Sequence, residues 1–153
     1  MKLNNKGFSY KEFFAVIVIV AILIMAIVPA MLTFMQHSKD SAVTDSVIVF
    51  RKQVDREILS YINGGNDIAD GCYFVTNHGD ICLGKYKNDK CDSELLKIDI
   101  DGLKPNGGYV DIEASKISVI HNVFIDNKYV NEKDDEYYIT QEPIEAIVCV
   151  SGN

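Results

Sequence analysis

Four cysteines, three histidines and a few clustered carboxylates are the residues from which chemistry could be built in this 153-residue chain. Cys72, Cys82, Cys91 and Cys149 form an even set, which in a domain held outside the cytoplasm reads as up to two disulfides with three possible connectivities. Buried free thiols are the alternative. Zinc is disfavoured because no Cys-x-x-Cys pair occurs and His37, His78 and His121 are scattered. Asp99-Ile100-Asp101-Gly102 and Asp134-Asp135-Glu136 offer oxygens to calcium, but neither has EF-hand spacing, and charged turns of this kind are usually solvated. His121 falls in a strand-like stretch and reads as structural, while His78 falls in a turn. No Gly-x-Ser-x-Gly, phosphate loop, His-Glu-x-x-His or dinucleotide fingerprint appears. We therefore expect no enzyme, no cofactor and no metal.

One further carboxylate stands out by its position. Glu12 directly precedes an apolar run from Phe13 to Leu32, twenty consecutive residues counting Pro29. As helix this run covers about 30 Å, the thickness of a bilayer's hydrocarbon core. Its β-branched residues would favour a strand in water, but in lipid every backbone group must be satisfied internally, and helix follows. Lys2, Lys6 and Lys11 precede the run, which places the N-terminus in the cytoplasm. A cleavable secretory signal is the rival reading. Its apolar region should span about 7 to 15 residues and end at small residues. This run is longer, Val28-Pro29-Ala30 makes a weak cleavage site, and Glu12 is out of place before a signal core.

Lys6-Gly7-Phe8-Ser9, then Glu12, then an apolar run containing Pro29, resembles the start of a type IV prepilin. That family comprises type IV pilins, the pseudopilins of type II secretion and competence pilins. The resemblance covers roughly residues 1 to 35 in motif and the whole chain in layout. It implies cleavage after Gly7 by a prepilin peptidase, N-methylation of the new N-terminal residue Phe8, and Glu12 as the assembly glutamate. It further implies self-association into a homopolymer or a co-polymer with other pilins, an assembly platform as partner, and residence in the membrane before assembly. Tyr10 and Lys11 depart from the family pattern, which is mostly aliphatic there, although a lysine can snorkel to the headgroups.

The pieces have physical reasons. Packing helices side by side would dehydrate Glu12, and a buried carboxylate needs a cation; the resemblance supplies the amine of Phe8 on a neighbouring subunit. Pro29 lacks an N–H and clashes with the carbonyl of Met25, so a helix kink or local melting is expected there. That kink is either a tolerated bend in a membrane helix or a point of extension during assembly.

Beyond the run the helical period becomes one-sided. Val43, Val47, Phe50, Val54, Ile58 and Ile62 recur at spacings of three and four, leaving Lys39, Lys52 and Arg56 to the other face. Gly64-Gly65 ends the pattern with a left-handed cap available. After Gly71 strands and turns are expected: 72–76 and 81–83 around Asn-His-Gly-Asp, a polar loop from Lys85 to Glu94, a turn at Pro105-Asn106-Gly107-Gly108 and a strand at 109–112. Residues 117–125 alternate imperfectly, Asp126-Asn127 makes a hairpin turn before Lys128, and 137–140 and 144–150 complete the strands. The expected fold is α+β and pilin-like, a long N-terminal helix packed on an antiparallel sheet. Its parts are a leader (1–7), a transmembrane and assembly half of the helix (8–35), an amphipathic half (36–63) and a β-sheet head (64–153).

A net charge of -7, carried mostly beyond the apolar run, repels phosphate backbones, so nucleic acid is not an expected partner. These expectations add up to a filament subunit, inserted in the cytoplasmic membrane and then moved into an extracellular pilus. The alternatives are a pseudopilin of a secretion or competence system, or a signal-anchored surface protein that never polymerises. Adhesion, motility, secretion and DNA uptake are not separated by sequence.

Overall fold

Ser9 opens the first helix, α1, which runs without interruption from Tyr10 to Asn63. The computed structural model describes residues 9–88 and 90–144; Gly7, Phe8 and Cys149, and all but the first residue of the strand expected at 144–150, lie outside them. The chain divides into two compact units between Lys39 and Asp40. In the first, every described residue through Lys39 is exposed, the apolar ones included. Pro29 is carried inside the helix, and the Thr33 hydroxyl donates to the Pro29 carbonyl at 3.0 Å.

In the second unit the helix is one-sided, as its period requires. Val43, Val47, Phe50, Val54 and Ile58 are fully buried, and Ile62 packs at the edge of the same cluster. Lys39, Lys52 and Arg56 are exposed. The helix ends where two glycines follow. Gly64 N–H donates to Ser60 O, Gly65 N–H donates to Ile62 O, and Gly65 adopts φ +88°.

Among the described residues all strand pairs are antiparallel. A five-stranded sheet has the order β5 (Leu95–Leu96), β2 (Ile81–Cys82), β1 (Gly71–Val75), β6 (Tyr109–Glu113), β7 (Lys116–His121). A three-stranded sheet has the order β10 (Glu136–Thr140), β9 (Lys128–Lys133), β8 (Val123–Ile125). A two-stranded hairpin, β3 (Tyr86–Lys87) with β4 (Lys90–Cys91), occupies the stretch expected to be a loop. That correction has a physical cause: the hairpin is tied by a covalent bond at Cys91 and a single aromatic stack at Tyr86, so no hydrophobic alternation announces it.

The imperfect alternation of 117–125 is also explained. Asp111 pairs with Val119 while Ile112 pairs with Ile117, so Ser118 is the extra residue of a bulge. The bulge lets Ile117 and Ile120 both face the core. Asn122, at φ +47°, then ends β7, and β8 belongs to the other sheet. Gly108 is required beside this corner: at φ +112°, a Cβ there would lie 2.5 Å from Val123 Cα and 2.6 Å from the Asn122 carbonyl oxygen. Strands of both sheets and the helix close one apolar cluster, with Val75, Ile81, Val110, Ile112 and Ile120 from one sheet and Val123, Ile125 and Val130 from the other.

Candidate functional site

The described part of the N-terminal sequence begins with a helix cap. Ser9 precedes the first helical residue, its carbonyl accepts from Phe13 N–H at 3.0 Å, and its own N–H donates to Glu12 Oε2 at 2.8 Å. A glutamate at the third helical position reaching back to the cap residue is one half of a capping box. It satisfies a donor that the helix geometry leaves orphaned. After it comes a helical surface long and apolar enough to cross a membrane by length and composition. Phe13, Phe14, Ile22, Met25, Phe34 and their neighbours are all exposed.

Three polar fasteners join the second half of the helix to the strands. Lys128 pairs with Asp40. Arg51 pairs with Glu132, whose side chain is only 3% exposed, and also donates to the Tyr137 hydroxyl at 3.1 Å and the Ile117 carbonyl at 2.8 Å. Asp55 Oδ1 accepts from Ile117 N–H at 2.8 Å, at the bulge. Burial alone would lower the guanidinium's pKa, but its bonds to Tyr137 and Glu132 outweigh that and hold it above its usual value. Glu132 Oε2 is enclosed with no hydrogen-bond partner among the described residues. Sequence reasoning missed Arg51. It flanks the apolar stripe one residue after Phe50, and a charge at such a position normally reads as surface.

The cysteines are partly resolved. Cys82 and Cys91 form a disulfide with Cα atoms 5.6 Å apart. Cys72 is disulfide-bonded as well, so the free-thiol alternative fails for all three described cysteines. The bond from β2 to β4 sits opposite Tyr86, the Cα partner of Cys91.

The other chemistry-bearing residues separate. His121 Nε2 lies 2.8 Å from Asp111 Oδ2 on the neighbouring strand, and His78 is exposed. Asp134 and Asp135 both adopt positive φ, 54° and 64°, and form the two-residue turn between β9 and β10. Asp99 pairs with Lys104, at 3.8 Å on the surface, an arrangement that contributes little. Among the described residues no three His, Cys, Asp or Glu side chains converge where a metal ion could sit. Two phenols are perturbed. Burial, followed by the charges of Asp70 and Asp67, raises the Tyr73 pKa, and a hydrogen bond to Glu94 raises that of Tyr61.

No family model, curated protein or solved structure matches the chain.

Proposed function

We propose that this chain is a structural subunit of a type IV pilus or pilus-like filament, cut after Gly7 by a prepilin peptidase and polymerised through its N-terminal helix. The observation that carries the reading is the two-part character of α1. The twenty residues from Phe13 to Leu32 expose an apolar surface all round, and the turns beyond Lys39 bury one stripe in a head with its own core. A helix apolar all round needs lipid or other helices around it. Bilayer before assembly and neighbouring subunits after it meet that need in turn. The N-terminus then lies in the cytoplasm and the head outside, where disulfides persist. A pseudopilin of a secretion or competence system shares every one of these features.

Intact mass of the membrane-extracted protein, together with electron microscopy of surface filaments labelled through the head, tests the proposal. A mature chain starting at methylated Phe8 and present in filaments supports it. A chain retaining Met1, or cut near Ala30, overturns it.

A second reading, a signal-anchored surface protein that stays single, is favoured by one observation. The Ser9–Glu12 bond gives Glu12 a task within its own helix, so the carboxylate does not by itself demand a neighbouring amine.

A further inference from the structure

A cavity of about 350 Å³ opens on the face of the five-stranded sheet that carries the disulfide hairpin. Its walls include Phe74, Tyr109, Tyr86, Lys85 and Lys87, from three separate stretches of chain. Strand register brings them together. Phe74 is the Cα partner of both Tyr109 on β6 and Cys82 on β2, and the Cys82–Cys91 bond fixes Cys91 opposite Tyr86. The Phe74 and Tyr86 rings stack at 4.0 Å, and Tyr109 meets Phe74 edge to face at 5.2 Å. The hairpin is held close on its other side as well: a Cβ on Gly84 would lie 2.3 Å from Asp92 Oδ1. The aromatic wall is thus set before any ligand arrives, which lowers the ordering cost of binding.

The two lysines are the second observation. Both are exposed, and neither makes an ion pair with a described residue, although acidic side chains outnumber basic ones in the chain, 22 to 15. An aromatic wall with two exposed lysines, in a cavity near the lower end of the ~300–1,000 Å³ range of small-molecule sites, suits a compact ring bearing one negative charge. Sugar C–H bonds pack against the negative faces of aromatic rings, and a carboxylate makes charge-assisted bonds to lysine. A running polyphosphate fits poorly. Asp92 and Glu94 stand beside the hairpin, and like charges along a strand of phosphates would meet them.

We propose that this cavity binds a carboxylate-bearing sugar residue of the uronate class, with Tyr86 and Tyr109 against the ring and Lys85 and Lys87 on the carboxylate. The site stands whether or not the chain polymerises. The test is titration of the isotope-labelled full-length protein in detergent micelles with methyl glucuronide, methyl glucoside and adenosine monophosphate, followed by NMR. The glucuronide should perturb Phe74, Tyr86, Tyr109 and Lys87 signals in a saturable way, with the glucoside about tenfold weaker. Lys87→Gln should weaken glucuronide about tenfold while leaving the spectrum of the core unchanged, the loss expected for one charged hydrogen bond. Lys85→Gln gives a second variant on the same carboxylate. Glucoside binding as tightly as glucuronide, adenosine monophosphate binding more tightly than either, or no saturable perturbation at these residues overturns the proposal.

Discussion

The backbone N–H of Ser9 donates to Glu12 Oε2 at 2.8 Å, so the carboxylate that precedes the apolar run closes the first turn of its own helix. This separates two roles that a single alanine substitution would confuse. Glutamine keeps the capping geometry, since it serves at the same position of a capping box, but it removes the charge.

If Glu12 pairs with the amine of a neighbouring Phe8, Glu12→Gln and Glu12→Ala should both process normally and both fail to enter filaments. The loss of such a buried pair is about 3–5 kcal/mol for each added subunit. If capping is the whole role, Glu12→Gln should incorporate like wild type and only Glu12→Ala should suffer, by about 0.5–2 kcal/mol, the scale set by N-cap losses. Quantifying each variant in sheared filaments against its membrane pool distinguishes the two.

Arg51→Ala should destabilise the head by about 3–5 kcal/mol, because it strands Glu132 in the interior. The double substitution Arg51→Met with Glu132→Leu should recover most of that loss, since removing both charges leaves no unpaired ion. Urea denaturation of the wild type, Arg51→Met, Glu132→Leu and the double variant, read as a double-mutant cycle, checks the coupling. Additive losses would mean that the pair is not a unit.

Breaking the Cys82–Cys91 bond by substituting both residues with serine should cost about 2–3 kcal/mol, the chain-entropy value for so short a loop. The aromatic signals of Tyr86 should broaden with it, because the bond holds its strand partner. A shift in thermal midpoint without any change at Tyr86 would assign the bond to stability alone.

Tyr73 and Tyr61 both have phenol pKa values raised above the ordinary value of about 10. The unfolded chain therefore releases these protons at a lower pH than the folded chain does. The stability they contribute is fully present below about pH 10 and is lost as pH rises through the higher folded values. Denaturation midpoints should fall over that alkaline range, and Tyr73→Phe should flatten part of the fall. A midpoint insensitive to pH there would contradict the shift.

The helix was legible because its signals are local. Twenty apolar residues, the stripe from Val43 to Ile58 and the paired Gly64-Gly65 each depend on neighbours three or four positions away. The Asp126-Asn127 turn was legible for the same reason, and both residues adopt positive φ. What sequence hid depends on distant pairings. Arg51 finds Glu132 across 81 residues, and the cavity draws on positions 74, 86 and 109. The division into two sheets turns on the conformation of Asn122, which in sequence shows only as an irregular strand.

The fasteners at Asp40, Arg51 and Asp55 have a mechanical consequence. They are spread over fifteen residues of one helix, about 22 Å at a rise of 1.5 Å per residue. Tension applied along the helix axis loads all three in shear together with the buried stripe, whereas a sideways pull on one end would peel them in turn. The head should accordingly resist axial stretching better than lateral prising. Single-molecule pulling on full-length protein, with handles placed for each geometry, measures the difference as a ratio of rupture forces; equal forces in the two directions would contradict it.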